Sequence, residues 1–226
     1  MTQNETRQVV ITGDGSDTVF HPLTGEHYHS TFGAVTESVH IFIHHGYRAL
    51  PPGTDPLHIL EIGFGTGLNA LLTFIEAEKQ HRPVVYDAVE PFPLATEVTG
   101  RLNYPEQLDG QNLRQVFQSL HATAAGTREA ISPVFSLRKI HETFENTTLP
   151  GHHYDLVYFD AFSPNVQPEL WQPAVFQKLF AAMKEGGLLL TYCAKGTVSR
   201  GMKEAGFTVE KLSGPPGKRH ILRGHV

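Results

Sequence analysis

Residues 61–69 read Glu61-Ile62-Gly63-Phe64-Gly65-Thr66-Gly67-Leu68-Asn69. The apolar run Leu57-His-Ile-Leu-Glu-Ile62 leads into them, and a helical pattern from Leu68 to Lys79 follows. The glycines therefore lie on a turn between a strand and a helix. Glycine at 63, 65 and 67 permits a tight turn and lets a ligand approach the backbone. The helix start behind them presents N–H groups to an anion. A dinucleotide fingerprint would want its third glycine at position 68, which is leucine here. The spacing acid-x-Gly-x-Gly-x-Gly suits a ligand ending in an amino acid, its carboxylate at the helix start and its ammonium near Glu61.

The next strand signal is Val84-Val-Tyr-Asp-Ala-Val89, and Glu90 stands at its end, 23 residues beyond Gly67. One carboxylate there can accept both hydroxyls of a ribose. The glycine turn and Glu90 together describe a site for an adenosine joined to an amino acid, which means S-adenosylmethionine (AdoMet). Further along, a largely helical stretch covers about 93–122, and Val134–Leu137 and Tyr154–Phe159 read as strands. A helix is expected over Pro168–Met183, a strand over Gly187–Tyr192 and a helix near 196–205. Two closing strands, Phe207–Leu212 and Arg219–Leu222, flank a Gly-Pro-Pro-Gly turn. Alternating β and α signals imply an α/β fold: a mostly parallel, seven-stranded sheet with a C-terminal antiparallel hairpin at its edge.

Strand four runs into Asp160-Ala-Phe-Ser-Pro164. Ligands of doubly wound sheets lie beyond the carboxyl ends of the strands, so Asp160 is expected in the same crevice as the glycine turn and Glu90. Tyr158, Phe159, Phe162 and Trp171 surround it in sequence. An acid beside aromatics suits a substrate with a flat ring and a nitrogen.

Residues 1–50 form a β/α extension ahead of this pattern. It holds the β-rich Gln8–Thr12, a turn-rich segment, and an amphipathic helix candidate marked by Val35, Val39, Phe42, Ile43 and Leu50, ended by Pro51-Pro52-Gly53. The extension is expected to cover the crevice.

The 226 residues suit one domain with an appendage, and 40% hydrophobic with 18% charged residues is a globular composition. A net charge of −5 excludes a bulk polycation that wraps nucleic acid. The charge is uneven, +5 from Lys195 to Val226 against −10 before it, and a basic end can hold a polyanion locally. The lone Cys193 precludes a disulfide framework within one chain. The 14 histidines show no ligand spacing, so no metal is expected. No run reaches the ~18 apolar residues of a membrane span, and Met1 to Arg7 shows no hydrophobic leader. A cytoplasmic location is the expectation.

With these residues placed, the chain resembles, from about Phe32 to Gly224, the methyltransferase domain of the MnmC-type enzymes that finish the wobble uridine of tRNA. The resemblance is carried by Gly63–Asn69, by Val89-Glu-Pro-Phe-Pro-Leu94, and by Tyr158-Phe-Asp-Ala-Phe-Ser-Pro-Asn-Val-Gln-Pro-Glu-Leu-Trp171. It continues in Arg200-Gly-Met-Lys-Glu-Ala-Gly-Phe207 and Gly217-Lys-Arg-His220. It implies a Rossmann-like class I AdoMet-dependent methyltransferase domain over 51–226. The implied reaction is N-methylation of 5-aminomethyl-(2-thio)uridine at tRNA position 34, in a stand-alone form without the flavin-dependent oxidoreductase domain of bifunctional relatives.

On this basis Glu61, Gly63, Gly65, Gly67, Asn69 and Glu90 are expected to bind AdoMet, and Asp160 to orient the amine. Phe162 and Trp171 are expected to stack the flipped base, and Lys218 and Arg219 to meet RNA phosphates. Two positions depart from the family. Lys139 stands where an acidic residue would face the adenine, and His220 where glutamate often follows Lys-Arg. Three rival readings share these features: a small-molecule amine N-methyltransferase, an aminopropyltransferase-like enzyme, and a non-catalytic RNA- or nucleotide-binding module.

Overall fold

The structure, a computed structural model, describes residues 7–53 and 55–226. Met1 to Thr6, which carry most of the stretch read for a leader, lie outside the described residues, as does Thr54. The chain opens with β1 (Gln8–Ile11), β2 (Asp17–His21) and β3 (Glu26–His27), a small antiparallel sheet in the order β1-β2-β3. The amphipathic stretch after it is not one helix. It runs as α1 (Ala34–Ser38), a π-helical turn (Val39–His44) and a 3₁₀ turn (Tyr47–Ala49). The break falls at Gly46, where a Cβ would lie 2.4 Å from the Phe42 carbonyl oxygen. Only glycine lets the chain double back so closely.

The main body follows: β4 (Leu57–Ile62), α2 (Leu68–Gln80), β5 (Val84–Val89), α3 (Thr96–Thr99), α4 (Tyr104–Gln107), α5 (Leu113–Ala122), β6 (Arg128–Ser132), β7 (Phe135–Ile140) and β8 (Tyr154–Phe159). It closes with α6 (Pro173–Ala182), β9 (Met183–Thr191), α7 (Gly196–Glu204), β10 (Thr208–Ser213) and β11 (His220–His225). The strands form one sheet in the order β10-β11-β9-β8-β4-β5-β7-β6. The seven expected strands are present, and β6 adds an eighth. It pairs antiparallel with β7 at the far edge. Its sequence, Arg-Glu-Ala-Ile-Ser, is polar and half exposed, as edge strands tend to be, so it carries no apolar signal. The hairpin does not simply extend the other edge. β11 pairs antiparallel with both β9 and β10, so the later strand lies inside the earlier one.

The helix expected over Pro168–Met183 is also divided. A 3₁₀ turn (Pro168–Trp171) precedes α6, and Gln172 between them is extended. Pro173 forces this, because the residue before a proline is driven out of the helical region. The apolar face of the sheet and α2 bury Ile59, Leu71, Tyr86 and Tyr158 on one side. On the other, Leu60, Val157, Phe176 and Leu189 form a second core with α6 and α7. Strands β4, β5 and β8 are parallel neighbours with β4 in the middle. Their carboxyl ends thus set Gly63, Glu90 and Asp160 side by side, each one residue past the paired Ile62, Val89 and Phe159.

Candidate active site

The chain runs outward from β4 to β5 and β7, then returns across β4 to start β8. That reversal leaves a crevice at the strand tips, the usual ligand position in such sheets. A cavity of about 720 Å³ occupies it. Gly63, Gly65, Asn69, Glu90, Asp160 and Phe162 all line it, so the sequence motifs converge on one space.

The glycine turn is shaped by its backbone. Gly63 has φ 91°, and a Cβ there would stand 2.7 Å from the Asp160 carbonyl oxygen. The tip of β4 is therefore pressed against the tip of β8. Gly65 has φ 48°, and its Cβ position lies 3.0 Å from the Tyr28 ring. Gly67 is the N-cap of α2 in the left-handed region, and no side chain caps this helix start. The first N–H groups of α2 are thus left for a ligand anion. Glu90 accepts from the backbone N–H of Gly65 at 3.0 Å and of Phe92 at 2.9 Å. These bonds hold its carboxylate against the glycine turn, although burial, the larger influence, raises its pKa. An acceptor pair for a ribose, a helix start for a carboxylate and a glycine-rich turn fit AdoMet.

Glu61 and Gly67 do not border the cavity, contrary to expectation. Glu61 is fully buried one layer below it, where its Oε1 accepts from Asn69 Nδ2 at 3.0 Å. Burial raises its pKa well above the ordinary carboxylate range. Asn69 Nδ2 also donates to Asp160 Oδ2 at 2.9 Å. One amide thereby joins the acid of β4 to the acid beyond β8. Asp160 is pushed up to about 7, first by burial and then by the nearby Glu37 carboxylate, against the Asn69 hydrogen bond and the Lys218 charge. Ser163, directly after Phe162, does not tie Asp160 into a local turn. Its hydroxyl and N–H both bond Glu26, which fastens β3 to the loop after β8.

Phe162 faces the cavity and meets the Tyr28 ring edge-on at 4.9 Å. Trp171 does not face it. The indole is buried against Phe159 at 4.9 Å, and its Nε1 donates to the Phe162 carbonyl at 2.8 Å. It braces the Phe162 backbone from behind instead of stacking a base. Lys139 also lies away from the cavity. Its ammonium donates to the His121 carbonyl beneath α5 and stands 5.6 Å from the Phe64 ring centre. The wall beyond β7 is made by Thr143, Phe144 and Glu145. Lys218 turns inward: Nζ lies 2.5 Å from Glu37 Oε1 and 5.1 Å from the Tyr192 ring centre. Arg219 is exposed.

Sequence reasoning passed over Glu26, Tyr28 and His29, and left Glu37 without a role, yet all four line the cavity. They lie in irregular or very short elements, where neither periodicity nor spacing marks a residue. Among the described residues no group of three or more His, Cys, Asp or Glu is placed to hold a metal ion. No helix among them is long and apolar enough to cross a membrane.

Comparison with known proteins agrees with this geometry. A family model described as S-adenosyl-L-methionine-dependent methyltransferase matches residues 127–226. The bifunctional protein MnmC of tRNA 5-methylaminomethyl-2-thiouridine biosynthesis from Pseudoalteromonas atlantica is 30% identical over 232 residues, which cover 88% of this chain and 31% of that protein. Its namesake from Burkholderia mallei is 29% identical over 251 residues, covering 96% and 35%. The chain spans about a third of the length of these curated relatives. Among solved structures, MNMC2 from Aquifex aeolicus superposes with a TM-score of 0.80 at 23% identity, covering 99% of this chain and 72% of that one. Spermidine synthase from Thermotoga maritima reaches 0.57 at 14% identity, covering 99% and 70%. In its Rossmann-like sheet, its strand-tip cavity and its matched residues 127–226, the chain is similar to S-adenosyl-L-methionine-dependent methyltransferases of the MnmC type.

Proposed function

We propose that this chain N-methylates the 5-aminomethyl group of (2-thio)uridine at wobble position 34 of tRNA, giving the 5-methylaminomethyl nucleoside. The observation that carries the reading is Asp160: a carboxylate on the cavity wall, fixed by Asn69 and raised to about 7. The names of the MnmC relatives supply the nucleoside.

AdoMet, when bound, supplies a methyl group already activated on a sulfonium. Glu90 would hold its ribose, and Gly63, Gly65 and the start of α2 its methionine end. Glu61 stiffens that floor through Asn69. The chain must then present a neutral amine in line and keep water away. Asp160 accepts a hydrogen bond from the amine and so orients its lone pair. An acid near 7 is also matched to taking the proton released at neutral pH, which an ordinary carboxylate near 4 is not. Phe162 borders the space for the base, and residues 7–50 serve as the cover of the crevice. Exposed Arg219 and the basic C-terminal region meet tRNA phosphates, in the cytoplasm where tRNA is found.

The shared fold with spermidine synthase keeps aminopropyl transfer as the second reading. Labelled AdoMet or labelled decarboxylated AdoMet is incubated with the protein and with tRNA bearing 5-aminomethyl-2-thiouridine or with putrescine, and products are resolved as nucleosides or amines. Label in 5-methylaminomethyl-2-thiouridine is the expected result. Label from decarboxylated AdoMet in an aminopropylated amine, with none in tRNA, overturns the proposal.

A further inference from the structure

Lys218 and Glu37 meet inside the cavity from opposite ends of the chain. Glu37 belongs to α1, and its side chain is only 8% exposed. Oε2 accepts from the Ser30 N–H at 2.6 Å, and Oε1 faces the Lys218 ammonium at 2.5 Å. Lys218 stands on the loop between β10 and β11, with its ammonium near the Tyr192 ring. The Tyr192 hydroxyl in turn donates to the carbonyl of Ala161, the residue after Asp160. Glu37, Lys218, Tyr192 and Asp160 therefore share one wall.

A lysine ammonium is an alkylammonium, the chemical class of an aminomethyl substrate in its protonated form. We infer that Glu37 is the second carboxylate for the acceptor amine, that Glu37 and Asp160 take one N–H each, and that Lys218 occupies the amine's place on Glu37 until substrate displaces it. The inference deepens the proposed function and rests on it.

The chemistry that follows is selective. A neutral primary amine has two N–H groups and one lone pair. With both N–H groups held, the lone pair is left for the methyl carbon. The amine nitrogen attacks that carbon, the N–C bond forms as the C–S bond breaks, and the bonding pair leaves with sulfur as a thioether. The nitrogen then carries an extra proton, which passes to Asp160 and on to water. The product is a secondary amine with one N–H, so it satisfies only one carboxylate when its lone pair faces a donor. Leaving the other buried acceptor unpaired disfavours a second round. Glu37 thereby determines preference for a primary over a secondary amine. It touches the reacting nitrogen but takes no proton from it.

The test uses the full-length protein and two tRNA preparations, one with 5-aminomethyl-2-thiouridine and one with 5-methylaminomethyl-2-thiouridine. Glu37→Ala is expected to raise KM for the first tRNA at least about tenfold and to narrow the kcat/KM preference for it over the second. AdoMet affinity by calorimetry should stay within about twofold of wild type. If the alanine variant fails to bind AdoMet, Glu37→Gln, which keeps an acceptor for Ser30, is read by KM alone. Lys218→Met removes the competitor and is expected to leave that KM unchanged or lower it, whereas a lysine serving RNA phosphate would raise it on loss. A folded Glu37 variant with KM within twofold of wild type, or a Lys218→Met KM that rises in parallel, overturns the assignment. A wild-type protein inert on the first tRNA sinks the proposed function and this inference together. A wild type that methylates it while the variants do not move sinks the inference alone.

Discussion

At the level of single residues, the proposed reaction turns on Asp160. Its carboxyl is protonated below about 7 because burial and Glu37 oppose its charge, and a protonated carboxyl cannot take up the proton that the amine releases. Wild-type kcat/KM should therefore rise with pH through about 7. Asp160→Asn should lose ~10²–10⁴ in kcat, the usual worth of general acid–base help, and lose that limb of the profile, while AdoMet affinity is held. Rate measurements from pH 5.5 to 8.5, paired with calorimetry, check both. Glu90→Gln should act the other way, weakening AdoMet about 10–100-fold, as charged hydrogen bonds of about 1.5–3 kcal/mol would give, with little effect on kcat at saturation. Asp160 and Glu90 were legible in the sequence because each directly follows a strand. Lys218 was legible as a basic residue but not as a cavity residue, since its direction depends on Glu37, 181 positions away. Trp171 was misread for a related reason: its spacing from Asp160 says that it is near, and only packing shows that it stands behind Phe162.

Among elements, the strands were readable where both faces are buried. Leu57–Ile62, Val84–Val89 and Tyr154–Phe159 match β4, β5 and β8 residue for residue. Buried parallel strands read as continuous apolar runs. The polar edge strand β6 offered no such run, and the helices were divided by local chemistry, at Gly46 and before Pro173, that periodicity does not weigh. The contact between the tips of β4 and β8 is testable. Gly63→Ala forces a Cβ toward the Asp160 carbonyl, in a positive-φ region that alanine avoids. Strain of that kind costs about 1–3 kcal/mol, so the melting temperature should fall by roughly 2–10 °C in a chain of this size. AdoMet affinity should fall with it, because the same shift displaces the floor of the cavity. Differential scanning calorimetry with and without AdoMet measures both.

For the whole molecule, buried titratable groups set opposing trends in stability. His29 and His121 are drawn down to about 4 by burial. Below about 6.5 the unfolded chain protonates them and the folded chain does not, so their share of stability is lost as pH falls from there. Asp160, Glu61 and Glu90 are raised instead. The folded chain keeps their protons after the unfolded chain has released them, so stability declines as pH climbs from about 4 through neutrality. Above about 6.5 the histidines no longer compensate. The ligand-free protein should melt a few degrees lower at pH 8 than at pH 6.5, and Asp160→Asn should shrink that gap. AdoMet at 100 times its Kd should add about 2.7 kcal/mol of stability by mass action. The order of the sheet has a further consequence, for biosynthesis. Because β11 lies between β9 and β10, both are synthesised before the strand that joins them. Until it emerges, the leucine-rich edge Leu188-Leu-Leu190 is an open template for any neighbouring nascent chain. That edge is closed only once β11 has docked between β9 and β10.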